Sequence, residues 1–172
     1  MAITRIGGAN AITGTIPQGN IANASLGAVT ALPGAIATGK VLQVVQGKST
    51  TATVTSSTSF VATNLTASIT PSATSSKILI IAQGCGDNDA DARQVYTTFY
   101  RGSTNLIGGS VPSFTSIYGA DRTIGSMAGN YLDSPSSTSS LTYTVYMKVA
   151  GGATEFISQS TEAHIQLMEI AG

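Results

Sequence analysis

The chain reads as an all-β protein, an antiparallel β-sandwich of the jelly-roll kind behind an extended N-terminal arm, and three observations predict it. Apolar residues recur with period two: Leu141, Tyr143, Val145, Met147 and Val149 alternate with Thr142, Thr144, Tyr146 and Lys148, as in a strand with one face in a core. Roughly eight to ten such short stretches follow one another with Gly, Pro, Ser and Asn between them, the spacing of a sandwich. Residues 78–81 are Ile, Leu, Ile and Ile without interruption, a run that fits a strand covered on both faces and so demands a second layer. Nothing in the chain is long or charged enough to supply that layer as helices, which leaves another sheet.

Residues 1–39 form the predicted arm. From position 6 to 39 there is no charged residue, and seven glycines with Pro17 and Pro33 deny the segment a stable helix. Fully extended, these 34 residues reach roughly 110 Å. Ordering them costs about 1–2 kcal/mol of backbone entropy per residue, more than their sparse apolar side chains offset on one chain. The arm is therefore expected to order only against a partner, with Ile12, Ile16, Ile21, Leu26, Leu32 and Ile36 as its points of attachment.

Residues 40–172 are the expected head domain. Residues 40–46, KVLQVVQ, make its first strand; a Ser/Thr-rich connection follows, with a short strand at 51–55. Residues 59–63 and 65–70 read as two short strands or one with a bulge, and Pro71 with small polar residues turns the chain into the Ile78 strand. Residues 94–101, QVYTTFYR, carry aromatics on both faces, which suits a strand with a core on one side and a neighbouring subunit on the other. A turn at 101–105 leads to a short strand at Leu106 and Ile107, then to a long loop, 108–119, bearing Pro112, Phe114 and Tyr118. Strands at 121–130, 141–149, 155–159 and 163–170 complete the chain.

Only 9% of residues are charged, against roughly a quarter in a typical soluble protein, and eight basic residues balance eight acidic ones. A surface so poor in charge is expected to be covered by copies of itself or by a larger assembly. No basic cluster marks a phosphate track, which argues against nucleic acid as a partner. No run of about 18 apolar residues marks a membrane-spanning helix, and the broken apolar pattern at the N-terminus does not support a secretory signal.

Asp87, Asn88, Asp89 and Asp91 cluster in GDNDAD. Alternate carboxylates suit Ca²⁺, but the loop glycine and the terminal glutamate of such sites are replaced by Ala92 and Thr98. A solvated turn is expected there, with no metal and no cofactor. The lone Cys85 forms no ligand pair. His164, beside Glu162, is the only histidine; with no nucleophile motif around it, no catalytic set is expected and it reads as a strand residue at a subunit surface.

KVLQVVQ with its Ser/Thr-rich sequel, LTASITPSATSSKILI, YRGSTNLIGG, LDSPSSTSSLTYTV and the terminal IQLMEI together resemble the C-terminal domain of tail-fibre and related virion proteins of tailed bacteriophages. The resemblance covers about residues 40–170 and departs from the family in having a short uncharged arm where a long shaft would stand. It implies a jelly-roll head, a homotrimer and a place in the virion. Expected partners are another virion protein at the arm and a host surface glycan or protein at loops carrying Asp87, Asn88, Asp89, Asp91, Phe114 and Tyr118. The second expectation is a trimeric capsid decoration protein that stabilises the shell.

Overall fold

The computed structural model describes residues 40–88, 93–119, 121–150, 154–156 and 161–172. The expected arm and its six attachment residues lie outside the described residues, as do Asp89 and Asp91. Eleven strands are described: β1 (Val41–Ser49), β2 (Thr53–Thr55), β3 (Val61–Ile69), β4 (Lys77–Asn88), β5 (Arg93–Arg101), β6 (Thr104–Asn105), β7 (Thr115–Gly119), β8 (Thr123–Asp133), β9 (Leu141–Val149), β10 (Thr154–Phe156) and β11 (Ala163–Ile170). All pair antiparallel.

Two sheets result. In the first, β1 pairs β11, β11 pairs β4, and β4 pairs β8 on its other edge; β10 takes over the β11 edge of β4 at Gly86–Asn88 and carries β2. In the second, β3 pairs β9, β9 pairs β5, and β5 pairs β7 and β6. With the short β2, β6 and β10 set aside, the orders are first–eighth–third–sixth and second–seventh–fourth–fifth. That is jelly-roll connectivity.

The core lies between the sheets because each strand's alternation points one row inward. Ile78, Ile80 and Ala82 of β4 and Ile165 and Leu167 of β11 meet Leu65 and Ile69 of β3, Val95 and Phe99 of β5, and Tyr143, Val145 and Met147 of β9. Side chains of this size are each worth about 1.5–3 kcal/mol when buried, so the apolar rows hold the layers together. Gly47 belongs to the same contact: a Cβ there would stand 2.0 Å from the Thr66 carbonyl oxygen and 2.9 Å from Ile165.

Several expectations change. Residues 78–81 are not covered on both faces: Ile78 and Ile80 are buried, Leu79 is half-buried, and Ile81 is 36% exposed. The run of four apolar residues therefore marks a strand with a wet outer face in the single chain. The 101–105 turn is tighter than read, since Arg101 pairs with Thr104 and leaves a two-residue loop, Gly102-Ser103. Gly102 at φ 55° supplies the left-handed backbone that such a hairpin needs. The short strand is thus β6 at Thr104–Asn105, and Leu106 and Ile107 instead pack on the core. The 108–119 loop contains β7, with Ile117 turned inward. Residues 61–69 form one strand with a register shift between Ala62 and Thr66.

One carboxylate closes the corner between β3 and β4. Glu169 on β11 is fully buried; its Oε1 accepts from the Ser72 backbone N–H (2.7 Å), the Ser72 hydroxyl (2.6 Å) and the Ser76 hydroxyl (2.6 Å). Its Oε2 accepts from Gln43 Nε2 at 2.6 Å, and that nitrogen also reaches the Thr70 carbonyl at 2.7 Å. Burial alone would raise the carboxyl's pKa, but the donors from Ser72, Ser76 and Gln43 outweigh it and bring the value from 4.5 down to about 2.

A folded-state value below the unfolded one means stability that is present above pH 4.5 and lost as pH falls toward 2. The difference corresponds to on the order of 3 kcal/mol. Glu169→Gln should unfold at lower urea at pH 7 than the wild type and show a flatter loss of stability between pH 5 and 2. Urea titrations across that range, compared between the two proteins, check both outcomes.

Candidate functional site

The acidic stretch singled out as a surface loop begins inside the sheet. β4 runs to Asn88, so Asp87 and Asn88 are strand residues, 2% and 0% exposed. Arg122, just before β8, reaches back and donates from Nε to both Asp87 carboxylate oxygens (3.1 and 3.2 Å) and from Nη2 to Oδ2. The β4–β8 register, which sets Asp87 opposite Ile124, places the two side chains together. In the single chain this carboxylate serves an ion pair, and neither Asp87 nor Asn88 is displayed. Among the described residues no group of three or more His, Cys, Asp or Glu side chains gathers as a metal site would.

Phe114 and Tyr118 separate. Phe114 stacks on Phe99 with ring centroids 4.1 Å apart and planes 21° from parallel. A Cβ on Gly129 would come within 2.2 Å of the Phe114 ring, so that glycine makes room for it. Phe114 thus closes the side of the core between β5 and β8. Tyr118 is 64% exposed. It pairs with Gln94 on the outer face of the second sheet, so it shares that face with Tyr96, Thr98 and Tyr100.

That outer face is wetter than its aromatic content implies, and it satisfies itself. Tyr100 stacks on Tyr146 at 3.9 Å and tilts against Phe60 at 6.3 Å. Lys148 Nζ lies 4.9 Å from the Phe60 ring centre and 5.3 Å from that of Tyr96, within cation–π range. Thr66 meets Thr144 at 3.0 Å, Ser68 meets Thr142 at 2.8 Å, and the Thr98 hydroxyl donates to Asn105 Oδ1 at 2.8 Å. The alternation of residues 94–101 and 141–149 made the tyrosines visible in the sequence. Their junction with Phe60 and Lys148 depends on the pairing of β9 with β5 and was not visible.

His164 stands on the outer face of the first sheet. Its Nε2 is 3.4 Å from Glu162, and its Nδ1 is 3.4 Å from Gln46 Nε2. Glu162 also accepts from Lys48 Nζ at 3.2 Å. Both ring nitrogens therefore face an ion pair and an amide, and among the described residues no serine hydroxyl is bonded to them.

A third buried carboxylate was missed by sequence reasoning altogether. Asp133 at the end of β8 is 6% exposed; its Oδ2 accepts from Arg101 Nη1 at 2.6 Å and from the Tyr143 hydroxyl at 2.7 Å. It links β8 of the first sheet to β5 and β9 of the second. Burial, and then the hydrogen bond to Asp133, push the Tyr143 phenol well above its ordinary value. With Glu169, this makes two clasps at the corners of the sandwich.

No protein-family model matches the chain, and no curated protein does. Among solved structures, it aligns with VP2 of infectious bursal disease virus in three forms. The D431N mutant in T=1 particles is 9% identical over 74% of this chain and 36% of VP2, at a TM-score of 0.39. The Gx strain is 11% identical over 75% and 38%, at 0.36. The T13 particle is 12% identical over 76% and 36%, at 0.37. This chain spans little more than a third of those chains. The strand connectivity, an antiparallel jelly-roll sandwich, defines its class.

Asp133→Ala should cost about 3 kcal/mol, because it takes the shared acceptor from both Arg101 and the buried Tyr143 hydroxyl. Tyr143→Phe removes one donor only and should cost about 1 kcal/mol. Chemical denaturation of the two variants checks the order and the sizes.

Proposed function

We propose that the chain is a structural component of a tailed-bacteriophage virion, a short trimeric fibre whose heads touch the host surface and whose residues 1–39 fasten it to another virion protein. The observation that carries this reading is where the pieces of the resemblance fall. TPSATSSKILI holds the Ser72 and Ser76 donors, IQLMEI holds Glu169, and KVLQVVQ holds Gln43. YRGSTNLIGG holds Arg101, and LDSPSSTSSLTYTV holds both Asp133 and Tyr143. Each piece of the resemblance thus takes part in a corner clasp of one jelly roll, so the resemblance rests on residues that specify a head fold.

Host contact is assigned to the outer face of the second sheet around Tyr118. An exposed tyrosine beside further tyrosines gives large, rigid contact area for a glycan or protein surface. Asp87 and Asn88, buried in β4, and Phe114, stacked on Phe99, take no direct part in the contact in this reading.

Particles carrying Tyr118→Ala should adsorb to host cells at least ~10-fold less well, the loss expected when an aromatic anchor worth about 1.4 kcal/mol is truncated. Unchanged adsorption removes the receptor role from this face. Copy number separates the fibre from a decoration protein: a fibre is far scarcer than the shell subunits, whereas parity with them favours decoration. Deleting residues 1–39 should abolish incorporation into particles while leaving a folded head, and full incorporation of the truncated chain refutes the arm's role.

A further inference from the structure

We propose that the outer face of the β1–β11–β4–β8 sheet is where copies of this chain pack on one another. The argument starts from register. Val44 pairs with Met168, Met168 with Leu79, and Leu79 with Leu132. Residues paired in this way share a face, so four apolar side chains from four strands form one row across the outside of the sheet. Val44 is 57% exposed and Leu132 47%, and Met168 and Leu79 are half-buried. None of the four has a polar group to satisfy, so water gains nothing at this row.

The neighbouring row decides what covers it. Gln46, Gln166, Ile81 and Asn130 lie side by side in the same register. Amides both donate and accept, so copies of this face turned toward one threefold axis can bond to one another at their amides, where a charged partner would leave charge unmatched. Beyond the amide row Lys48 and Glu162 neutralise each other at 3.2 Å, and on the other side of the apolar row the exposed Lys77, two residues before Leu79 on the same face, can lay its stem over the row and keep its ammonium in water at the rim. With no net charge on the whole chain, copies do not repel. The relief also suits self-packing: a hollow of about 210 Å³ between Ile81, Gln83, His164 and Gln166 lies beside the apolar row, so the face offers both a ridge and a recess.

The area is sufficient. Four strands spaced ~4.8 Å apart and nine residues rising ~3.3 Å each span about 20 by 30 Å. That is roughly 600 Å² in projection, and more once side-chain relief is counted, near the ~800 Å² per partner of a stable interface. The opposite sheet differs, because its outer hydroxyls and rings are already bonded to one another. This inference rests on the self-association part of the function proposed above and adds the face and the partner.

The test uses the full chain and compares wild type, Val44→Glu, Leu132→Glu and, on the other sheet's exposed outer face, Thr142→Glu. Sedimentation velocity from 0.1 to 100 µM reads mass, and thermal unfolding of dilute samples confirms folding. The wild type and Thr142→Glu should sediment as the same oligomer, with Val44→Glu and Leu132→Glu dissociating at a concentration at least ~100-fold higher, since a buried unpaired carboxylate costs several kcal/mol. An oligomer that survives both row variants, or is broken by Thr142→Glu instead, overturns the assignment of the face while leaving self-association standing. A wild type that is monomeric throughout overturns self-association itself, and loss of particle incorporation in the row variants would then mark another virion protein as the occupant. Should a glutamate variant melt early, Val44→Ser and Leu132→Ser repeat the comparison with side chains the exposed positions accept. Serine variants as tightly associated as the wild type count against the face.

Discussion

The buried carboxylate of Glu169 is the constraint on which the rest of this sandwich depends. A jelly roll must pass the chain from one sheet to the other at its corners, and there the backbone leaves the ladders that satisfy it. At the β3–β4 corner the Ser72 N–H and two serine hydroxyls turn inward onto one oxygen of Glu169, and Gln43 of the edge strand takes the other. Taking a carboxylate out of water is costly, and a set of four short hydrogen bonds is what makes it favourable here. In return the first and last long strands and the corner between the sheets are held in one register.

Asp133 repeats the device across the sandwich, joining the end of β8 to Arg101 and Tyr143. With Asp87 held by Arg122, three carboxylates among the described residues are thus placed inside, while the outside carries mostly amides, hydroxyls and apolar side chains. This inversion gives the low charge a physical meaning. Glu169, Asp133 and Arg101 fix corners, and only a few charges, such as the Lys48–Glu162 pair, remain on the outer faces.

The two outer faces are made for different company. On the second sheet, threonines and serines bond across strands and tyrosines stack, so the face is content in water yet rich in contact area. On the first, a row of unsatisfied apolar side chains crosses four strands beside a row of amides. The asymmetry follows from which residues alternate outward on β5 and β9 as against β1, β4, β8 and β11.

Period-two alternation, turn residues and the absence of any helical pattern were enough to determine an all-β sandwich and most of its strands, because those signals are local. Gln43, Ser72, Ser76 and Glu169 stood in plain sight but had no reading until the strands paired, since positions 43 and 169 meet only across the β1–β11 ladder. The same holds for Arg101, Asp133 and Tyr143. The acidic stretch was misplaced for a related reason: a run of Asp and Asn looks like a turn, but the pairing of β4 with β8 extends the strand through Asp87 and Asn88 and brings Arg122 to meet the charge. Residues 78–81 were read as covered on both faces because hydrophobicity alone does not say what lies beyond the chain. The sequence determines which side chains alternate; tertiary structure alone decides which distant ones share a corner, because pairing register, unlike periodicity, is a property of two strands at once.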